Sequence, residues 1–295
     1  MPELIIDRDE VCFYVTEKCN SNCVMCPMSL DSRKRGREMS AEEWEHFEEM
    51  IPPDTAHITV TGGEPFLCGG RLFAALEKIN RLYPAADVLV LTNGRALAIP
   101  EIAERLAPLI TERYCFAIPV HGPDAALHDR ITASPGSFRQ ALAGIRFLGG
   151  TEAKTEVRIV GHRMNIGRIS DTFRMLSRMK ARIDVINLVA MEMTGCAARN
   201  RAGLWVDYDI LCEQAEEGIR QAVLSGIDAG LYNFPLCQVP EGLWPLARHS
   251  ITPYKVRYPR ECEGCARRDA CGGMFYSTCL LGLCRVRPFK KEAVK

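Results

Sequence analysis

The sequence predicts an α/β fold made of parallel strand–helix units. Seven short runs of strand character recur along the chain, and most are followed by a segment with helical periodicity. The runs are apolar almost throughout, as expected for strands that are covered on both faces. Six or seven such units predict a full or partial barrel. The regular pattern stops after about residue 236.

The strand-like runs are rich in β-branched and aromatic residues. They are VCFYVT (11–16), HITVTGG (57–63), DVLVLTNG (87–94), YCFAIPV (114–120), KTEVRIVGH (154–162), IDVINLVAM (183–191) and IDAGLYNFP (227–235). Helical patterns occupy residues 40–51, 71–83, 99–110, 137–148, 168–180 and 208–226. In the first helix, Ser40 followed by Glu43 forms a capping-box signature. Strands that alternate with helices in this way predict parallel βαβ units.

The charge balance and the apolar pattern exclude several classes of protein. The chain has 37 basic and 37 acidic residues, so no net charge directs it to nucleic acid or to a membrane surface. It has no run of about 18 apolar residues and no basic segment followed by an apolar one at its start. We therefore expect a cytoplasmic protein. The basic run RKRGRE (33–38) is expected to be a solvated loop.

Three cysteines lie close together just after the first strand. Fourteen cysteines are unusual in a reducing compartment unless some of them bind metal. Cys19, Cys23 and Cys26 fall in a loop at the carboxyl end of the strand, where the active sites of α/β barrels lie. A [4Fe–4S] cluster takes one ligand per iron, so three cysteines leave one iron open. A zinc site completed by a distant residue, or buried free cysteines, are the alternatives.

The segment TGGEP (61–65) ends the second strand and suits the binding of a small molecule. Gly62 and Gly63 allow the backbone to approach a ligand closely. Glu64 offers negative charge to an ammonium group, and Pro65 can open a following helical turn.

The cysteine loop followed by Gly62-Gly63-Glu64-Pro65 resembles the radical S-adenosylmethionine (SAM) superfamily, over roughly residues 10–235. The resemblance implies a partial TIM barrel, (β/α)6, in which the open iron chelates the amino and carboxylate groups of SAM. It implies that Gly62, Gly63, Glu64 and Pro65 hold the methionine amino group. Met25 matches a position near the adenine that is often aromatic in relatives. Asn93 and Arg158 resemble positions that approach the SAM ribose or carboxylate; an ordinary turn asparagine and a solvated or salt-bridged arginine are the alternatives.

The resemblance also implies the reaction. A reduced cluster passes one electron to the SAM sulfonium, and the resulting 5′-deoxyadenosyl radical abstracts hydrogen from an unactivated C–H bond. An electron donor such as flavodoxin or ferredoxin is then a partner. The barrel interior suits this chemistry because it positions the reactants and excludes water.

A second group of cysteines lies near the end of the chain. Cys262, Cys265 and Cys271 resemble the auxiliary-cluster domains called SPASM, or twitch in their shorter form, except that Phe275 stands where the full SPASM pattern has another cysteine. The resemblance implies one auxiliary [4Fe–4S] cluster in a twitch-like domain. The preferred fourth ligand is Cys237, with Cys279 and Cys284 as alternatives; structural zinc is the other interpretation. We predict a core domain over 1–235 and an auxiliary-cluster domain over 236–295.

The remaining cysteines and two histidines have simpler interpretations. Cys12, Cys68, Cys115, Cys196 and Cys212 lack partners at ligand spacing and are expected to be small buried side chains. His121 and His128 follow the fourth strand and are expected to be hydrogen-bonded loop residues, although a role in proton transfer is conceivable.

Four stretches resemble a narrower group, the His-Xaa-Ser system radical SAM maturases. They are residues 117–129, 191–200, 231–251 and 261–275. The resemblance implies a ribosomally made peptide as substrate and a second maturase as a possible partner. With only ten residues before the first strand, a leader peptide is expected to bind at the barrel mouth, at the tail or on a separate protein.

Three functions therefore compete. The first is radical modification of a peptide, and the second is the same chemistry on a small metabolite such as a nucleoside or an amino acid. The third is a non-catalytic, zinc-binding interaction protein, which explains neither the three-cysteine loop nor the glycine turn that follows it.

Overall fold

A computed structural model describes residues 4–7, 10–249 and 255–290. Within these residues, nine strands form one sheet in the order β1 to β9. The strands are β1 (Leu4–Asp7), β2 (Glu10–Tyr14), β3 (His57–Thr61), β4 (Asp87–Leu91), β5 (Tyr114–Pro119), β6 (Lys154–Val160), β7 (Val185–Val189), β8 (Asp228–Tyr232) and β9 (Ala247–Arg248). β2 to β9 are parallel, and β1 pairs antiparallel with β2. The sheet contains all seven predicted strands, and the α/β fold with a parallel sheet is confirmed.

Helices connect most of the strands. The α-helices are α1 (Leu30–Arg35), α2 (Ala41–His46), α3 (Gly70–Leu82), α4 (Pro100–Leu106), α5 (Ala125–Thr132), α6 (Ser137–Gly149), α7 (Ile169–Ser177), α8 (Gly195–Arg199), α9 (Arg201–Leu204), α10 (Tyr208–Leu224) and α11 (Tyr276–Leu280). Short 3-10 helices span Phe47–Met50, Pro65–Cys68, Ala96–Ala98, Ala107–Leu109, Ile166–Arg168, Leu236–Gln238, Glu241–Leu246, Arg260–Cys262 and Arg268–Ala270. The predicted capping box is present, because Ser40 and Glu43 each bond the other's backbone N–H.

The two faces of the sheet differ in chemistry because successive side chains of a strand point to opposite sides. On the outer face, Val60, Phe116, Ile159 and Leu188 are fully buried in one apolar core with side chains of the helices. The alternate residues face inward and include polar side chains, listed here by strand: Thr59 and Thr61, Glu156 and Arg158, Asn187, Tyr232. The sheet thus has an apolar outer core and a polar inner face.

The sheet order runs from β1 to β9 without a β9–β1 pairing among the described residues, as in a partial barrel. No helix of the described residues has the length and apolarity needed to cross a membrane.

The C-terminal part packs onto the barrel. β10 (Val256–Arg257) and β11 (Met274–Phe275) form a two-stranded antiparallel sheet, and Met274 and Phe275 join the main apolar core. β9 extends the main sheet to Arg248, beyond the predicted domain boundary at residues 235 and 236. That boundary stays a prediction.

The basic run at residues 33–38 differs from its expectation. Lys34, Arg35 and Arg37 are exposed, but Arg33 is only 2% exposed, since it lies on the face of α1 that turns toward the cysteine loop. The helices α1, α5, α8 and α9 were also not anticipated from the sequence pattern.

Candidate metal and cofactor site

The cysteine loop (residues 19–26) follows β2 and is fixed on two sides. Asn22 N–H donates to the Thr132 carbonyl (2.9 Å) at the end of α5. On the other side, Cys196 N–H, at the start of α8, donates to the Cys26 carbonyl (3.0 Å). Gly195 makes this contact possible, because a Cβ there would lie 2.3 Å from the Pro27 carbonyl oxygen. The loop is therefore held between two helices at the carboxyl end of the sheet.

The three thiols of the loop are half-buried and close enough to affect one another. Burial, together with the charges of Cys26 and Cys19, raises the pKa of Cys23 to about 12. Two sulfur atoms already accept backbone hydrogen bonds, from Ser21 N–H to Cys19 Sγ and from Met28 N–H to Cys26 Sγ, both 3.4 Å long. In the described part of the chain, no three Cys, His, Asp or Glu side chains stand at the geometry of a bound metal ion.

The chemistry of this donor set nevertheless fits an iron–sulfur cluster. Thiolates are the soft ligands that such clusters use, and backbone N–H groups aimed at sulfur stabilise thiolate ligands. Thiols with a raised pKa are protonated without metal, and metal binding releases those protons.

A buried cation lies directly behind the loop. The Arg33 guanidinium donates to the Ser21 carbonyl (Nη1, 3.1 Å), to the Ser29 carbonyl (Nε, 3.4 Å) and to Cys196 Sγ (Nη2, 3.1 Å). Its positive charge lowers the pKa of Cys23 and Cys26, against the larger effect of burial. Arg33 and Cys196 were missed as site residues, because a basic run and an isolated cysteine give no sequence signal of contact across 163 positions.

The glycine turn (residues 62–65) touches the stem of the cysteine loop. Gly63 N–H donates to the Thr16 carbonyl (2.6 Å), and Glu64 N–H donates to the Lys18 carbonyl (2.8 Å). A Cβ on Gly62 would lie 2.4 Å from the Thr16 oxygen, and one on Gly63 would lie 2.2 Å from the Lys18 oxygen. The glycines are thus required first by the neighbouring backbone, a reason that the sequence alone did not indicate.

Glu64 is fully buried and ties the turn to the end of β4. Its Oε1 accepts from Thr92 Oγ1 (2.7 Å) and from Phe66 N–H (3.2 Å), and its Oε2 accepts from Asn93 N–H (2.7 Å). Burial raises the pKa of the Glu64 carboxyl, and these donors act in the opposite direction. Pro65 opens the 3-10 helix that Glu64 caps, as expected. The carboxylate therefore orients the turn through its neighbours.

Two other residues proposed to hold SAM, Asn93 and Met25, lie beside and within the cysteine loop. Asn93 Nδ2 donates to Asn20 Oδ1 (2.7 Å), so its side chain adjoins the cysteine loop. Met25 is 6% exposed and packs in a second apolar cluster with Met191 and Met193, which follow β7.

Arg158 lies on the inner face of β6, held by an acid on the same face. Its guanidinium pairs with both Glu156 oxygens, at 2.5 and 3.2 Å. Asn187 Nδ2 on β7 donates to the same Glu156 oxygen that Arg158 Nε reaches, at 2.7 Å. The salt-bridged alternative foreseen for Arg158 is therefore present. The ion pair places fixed polar groups on the inner face of the sheet.

The four proposed auxiliary ligands share one cavity. Its walls include Cys237, Cys262, Cys265 and Cys271. Burial, together with the charges of the other three cysteines, raises the pKa of Cys262 to about 11. Neither Cys279 nor Cys284 lines the cavity; both pack against the main apolar core.

Backbone donors also point at sulfur in this second region. Leu236 N–H and Gly273 N–H donate to Cys271 Sγ (3.3 and 3.5 Å), and Arg287 N–H donates to Cys237 Sγ (3.3 Å). The same chemistry as in the cysteine loop therefore recurs here, with four cysteines in place of three.

Three histidines are buried near the carboxyl ends of β5 and β6: His121 and His162 follow these strands, whereas His128 lies in α5 and not, as expected, in a loop. His121 and His128 stack with ring centroids 5.7 Å apart, and His121 N–H donates to His128 Nδ1 (3.1 Å), as expected for hydrogen-bonded residues. His162 is also buried and was not singled out from the sequence; its Nδ1 accepts from Met164 N–H (3.2 Å). His121 Nδ1 and His162 Nε2 have no hydrogen-bond partner among the described residues.

The isolated cysteines divide into two groups. Cys68, Cys196 and Cys212 are buried as expected. Cys12 and Cys115 are only half-buried, because they lie on the inner face of β2 and β5.

A family model described as the Radical SAM superfamily matches residues 13–176, more than half of the chain. The AdoMet-dependent heme synthase of Methanosarcina barkeri is 29% identical over 174 residues, which cover 58% of this chain and 48% of that protein. The PqqA peptide cyclase of Bradyrhizobium diazoefficiens is 25% identical over 197 residues, which cover 66% of this chain and 49% of that protein. The chain thus spans about half the length of these relatives.

Solved structures show the same fold. SuiB of Streptococcus suis, bound to its precursor peptide SuiA, superposes with a TM-score of 0.60 and 13% sequence identity. The superposition covers 77% of this chain and 49% of SuiB. At this identity the likeness concerns the fold.

We predict that Glu64→Gln lowers stability by about 1–3 kcal/mol, because the amide nitrogen faces a buried donor and leaves it without an acceptor. The thermal unfolding midpoint should fall. Glu77→Gln, on the exposed face of α3, is the matched control and should leave the midpoint unchanged. Equal midpoints for both variants would contradict the role given to Glu64.

The buried histidines predict loss of stability in acid. Burial lowers the pKa of His128 and of His162 to about 4, and holds that of His121 well below its usual range. The unfolded chain therefore binds these protons more readily. The stability that depends on the neutral histidines is fully present above about pH 6.5 and is lost as pH falls toward 4, by roughly 3 kcal/mol for each of His128 and His162. Urea unfolding at several pH values measures this slope. His162→Gln should flatten it and the exposed control His57→Gln should not; equal slopes in all three proteins would refute it.

Proposed function

This chain belongs to the radical SAM superfamily, and from that premise we propose that it cleaves SAM reductively and uses the resulting radical to modify a ribosomally made peptide. The observation that carries the proposal is the extent of the family match, which includes both the cysteine loop and the glycine turn. The glycine turn is bonded backbone to backbone to Thr16 and Lys18, which immediately precede the cysteine loop. The third function considered, a non-catalytic zinc-binding protein, has no such support.

In the proposed assignment, Cys19, Cys23 and Cys26 bind a [4Fe–4S] cluster whose fourth iron is left to SAM. When bound, the cluster and SAM together supply the radical that removes hydrogen from the substrate. The turn formed by Gly62, Gly63, Glu64 and Pro65 presents its backbone to the methionine part of SAM.

The remaining side chains of the site shape the space around SAM. Glu64 keeps the turn rigid through its three donors rather than by free charge. Asn93 donates a hydrogen bond to Asn20 in the cysteine loop, and Met25, within the loop, packs in an apolar cluster. Arg158, fixed by Glu156, supplies the guanidinium donors of the inner face.

We propose one auxiliary [4Fe–4S] cluster bound by Cys237, Cys262, Cys265 and Cys271. The shared cavity and the three backbone donors to sulfur support this ligand set, and they favour Cys237 over Cys279 and Cys284. Residues 236–295 then form a twitch-like domain that packs on the core at residues 1–235. Zinc bound by the same four thiolates is the alternative. Metal analysis of the purified protein distinguishes zinc from iron at this site.

A peptide is the favoured substrate. Two of the similar proteins, PqqA peptide cyclase and SuiB bound to SuiA, carry a peptide in their descriptions. The similarity to a heme synthase supports a second candidate, a small metabolite bound on the same inner face. A flavodoxin- or ferredoxin-type electron donor and a second maturase complete the proposed partners.

Anaerobic reconstitution tests the central claim. Two four-iron clusters predict about eight iron atoms per chain. We also expect the reconstituted protein to cleave SAM. Cys26→Ala should abolish SAM cleavage while circular dichroism shows a folded barrel. Normal SAM cleavage by Cys26→Ala would contradict the assignment of the cysteine loop as the site of the cluster that cleaves SAM. Mass spectrometry of precursor peptides co-expressed with the chain separates the peptide substrate from the metabolite.

The auxiliary site has its own test. Cys237→Ala and Cys265→Ala should each lose about half of the iron, because each removes one ligand of a single four-iron cluster. Cys279→Ala is the matched control, since Cys279 packs on the core nearby without lining the cavity, and it should keep all of its iron. If Cys279→Ala loses iron and Cys237→Ala retains it, Cys279 and not Cys237 is the fourth ligand of the auxiliary cluster.

A further inference from the structure

Arg33 is a buried charge without a matching carboxylate. Its side chain is 2% exposed and is among the largest fully buried side chains described. Within the described residues it forms no ion pair; its bonds go to two carbonyl oxygens and one sulfur. A buried cation that is not compensated by negative charge costs several kcal/mol. Something negative must therefore face Arg33 in the working protein.

The groups that can supply that charge are the cysteines beside it. Arg33 contacts the cysteine loop at two points: its Nη1 donates to the Ser21 carbonyl (3.1 Å), and Cys19 N–H donates to the Arg33 carbonyl (3.0 Å). The cysteines of this loop become thiolates when they bind metal. The arginine thus has no full counter-charge until a metal centre is bound in the cysteine loop.

We propose that Arg33 is a positioning residue whose buried charge stabilises an iron–sulfur cluster in the cysteine loop and raises the reduction potential of that cluster. The inference rests on the proposed function, because it takes the loop as the cluster site. Reduction adds one negative charge to the cluster, so a nearby cation favours the reduced form. Net charge and hydrogen bonds around the sulfur atoms are the features that set such potentials.

The bonds of Arg33 explain why its charge stays close to the cluster. Through the Ser21 and Ser29 carbonyls it bridges the beginning of the cysteine loop and the residue that caps α1. Through Cys196 it also contacts α8, whose backbone holds Cys26. The guanidinium is therefore fixed at the back of the loop, on the side away from solvent.

Arg199 provides a matched control. Its Nη2 lies 3.6 Å from the same Cys196 sulfur, but its side chain is exposed, so water screens its charge. Arg33→Met removes the buried charge and keeps a long side chain, and Arg33→Lys keeps the charge without the planar guanidinium. Arg199→Met removes a charge of the same kind at the same sulfur.

The experiment is a redox titration of the full-length, reconstituted protein, followed by electron paramagnetic resonance without SAM. The signal of the loop cluster is identified by its absence in Cys26→Ala. At a fixed potential, Arg33→Met should show at least about a tenfold lower ratio of reduced to oxidised cluster, equal to about 59 mV for one electron. Arg33→Lys should recover most of the ratio, and Arg199→Met should match the wild type.

An Arg33→Met protein with wild-type iron content and an unchanged ratio overturns the proposal. If Arg33→Met binds no loop cluster, Arg33→Lys decides: retention of the cluster supports the role of charge. Loss of the cluster or of the fold in both variants overturns it, because shape rather than charge is then what matters. A wild-type cluster that never cleaves SAM refutes the proposed function but leaves this test valid, whereas a wild type that binds no iron overturns both the function and this proposal.

Discussion

The site depends on the backbone contact between residues 16–18 and the glycine turn. Two short hydrogen bonds join Gly63 N–H to the Thr16 carbonyl and Glu64 N–H to the Lys18 carbonyl. They run between the carboxyl ends of β2 and β3, adjacent strands in the sheet. Because the loop stem and the turn are one bonded unit, whatever binds to the cysteines has a fixed relation to the turn. Both glycines follow from the closeness of this contact.

Buried polar groups connect this contact to other elements of the site. Glu64 extends the unit to β4 through Thr92 and Asn93, and Arg33 extends it to α8 through Cys196. The two groups solve the problem of buried charge differently. Glu64 is compensated by three donors in the protein, while the bonds of Arg33 go to neutral groups. Glu64 therefore stabilises the protein framework of the site, whereas Arg33 suits a site that binds an anionic centre.

The sequence predicted those features that leave a local pattern. Strands appeared because buried parallel strands are continuously apolar, and the cysteine loop and glycine turn appeared because their spacing is short. β9 was not foreseen because two residues, Ala247 and Arg248, are too few to show any periodicity. The burial of Arg33 could not be read from RKRGRE, because it is decided by α8, which lies far along the chain. The buried state of His162 has the same origin, since it depends on packing between strand ends.

The sequence indicated which segments form the candidate site, but the contacts of its side chains became visible only in the three-dimensional arrangement. Glu64 was expected to offer free charge and is instead saturated with donors. Cys196 was expected to be a small apolar filler and instead accepts a hydrogen bond from a guanidinium. In both cases a side chain of ordinary appearance takes its role from partners at a distance in sequence.

Among the described residues, the sheet runs from β1 to β9 without closing on itself. A closed barrel has its diameter fixed by the number of strands and their stagger. An open sheet lacks that constraint, so its curvature is set by the packing of its outer helices and by whatever occupies its inner face. The width of the interior can therefore differ between the empty and the ligand-bound protein without breaking a single strand pairing.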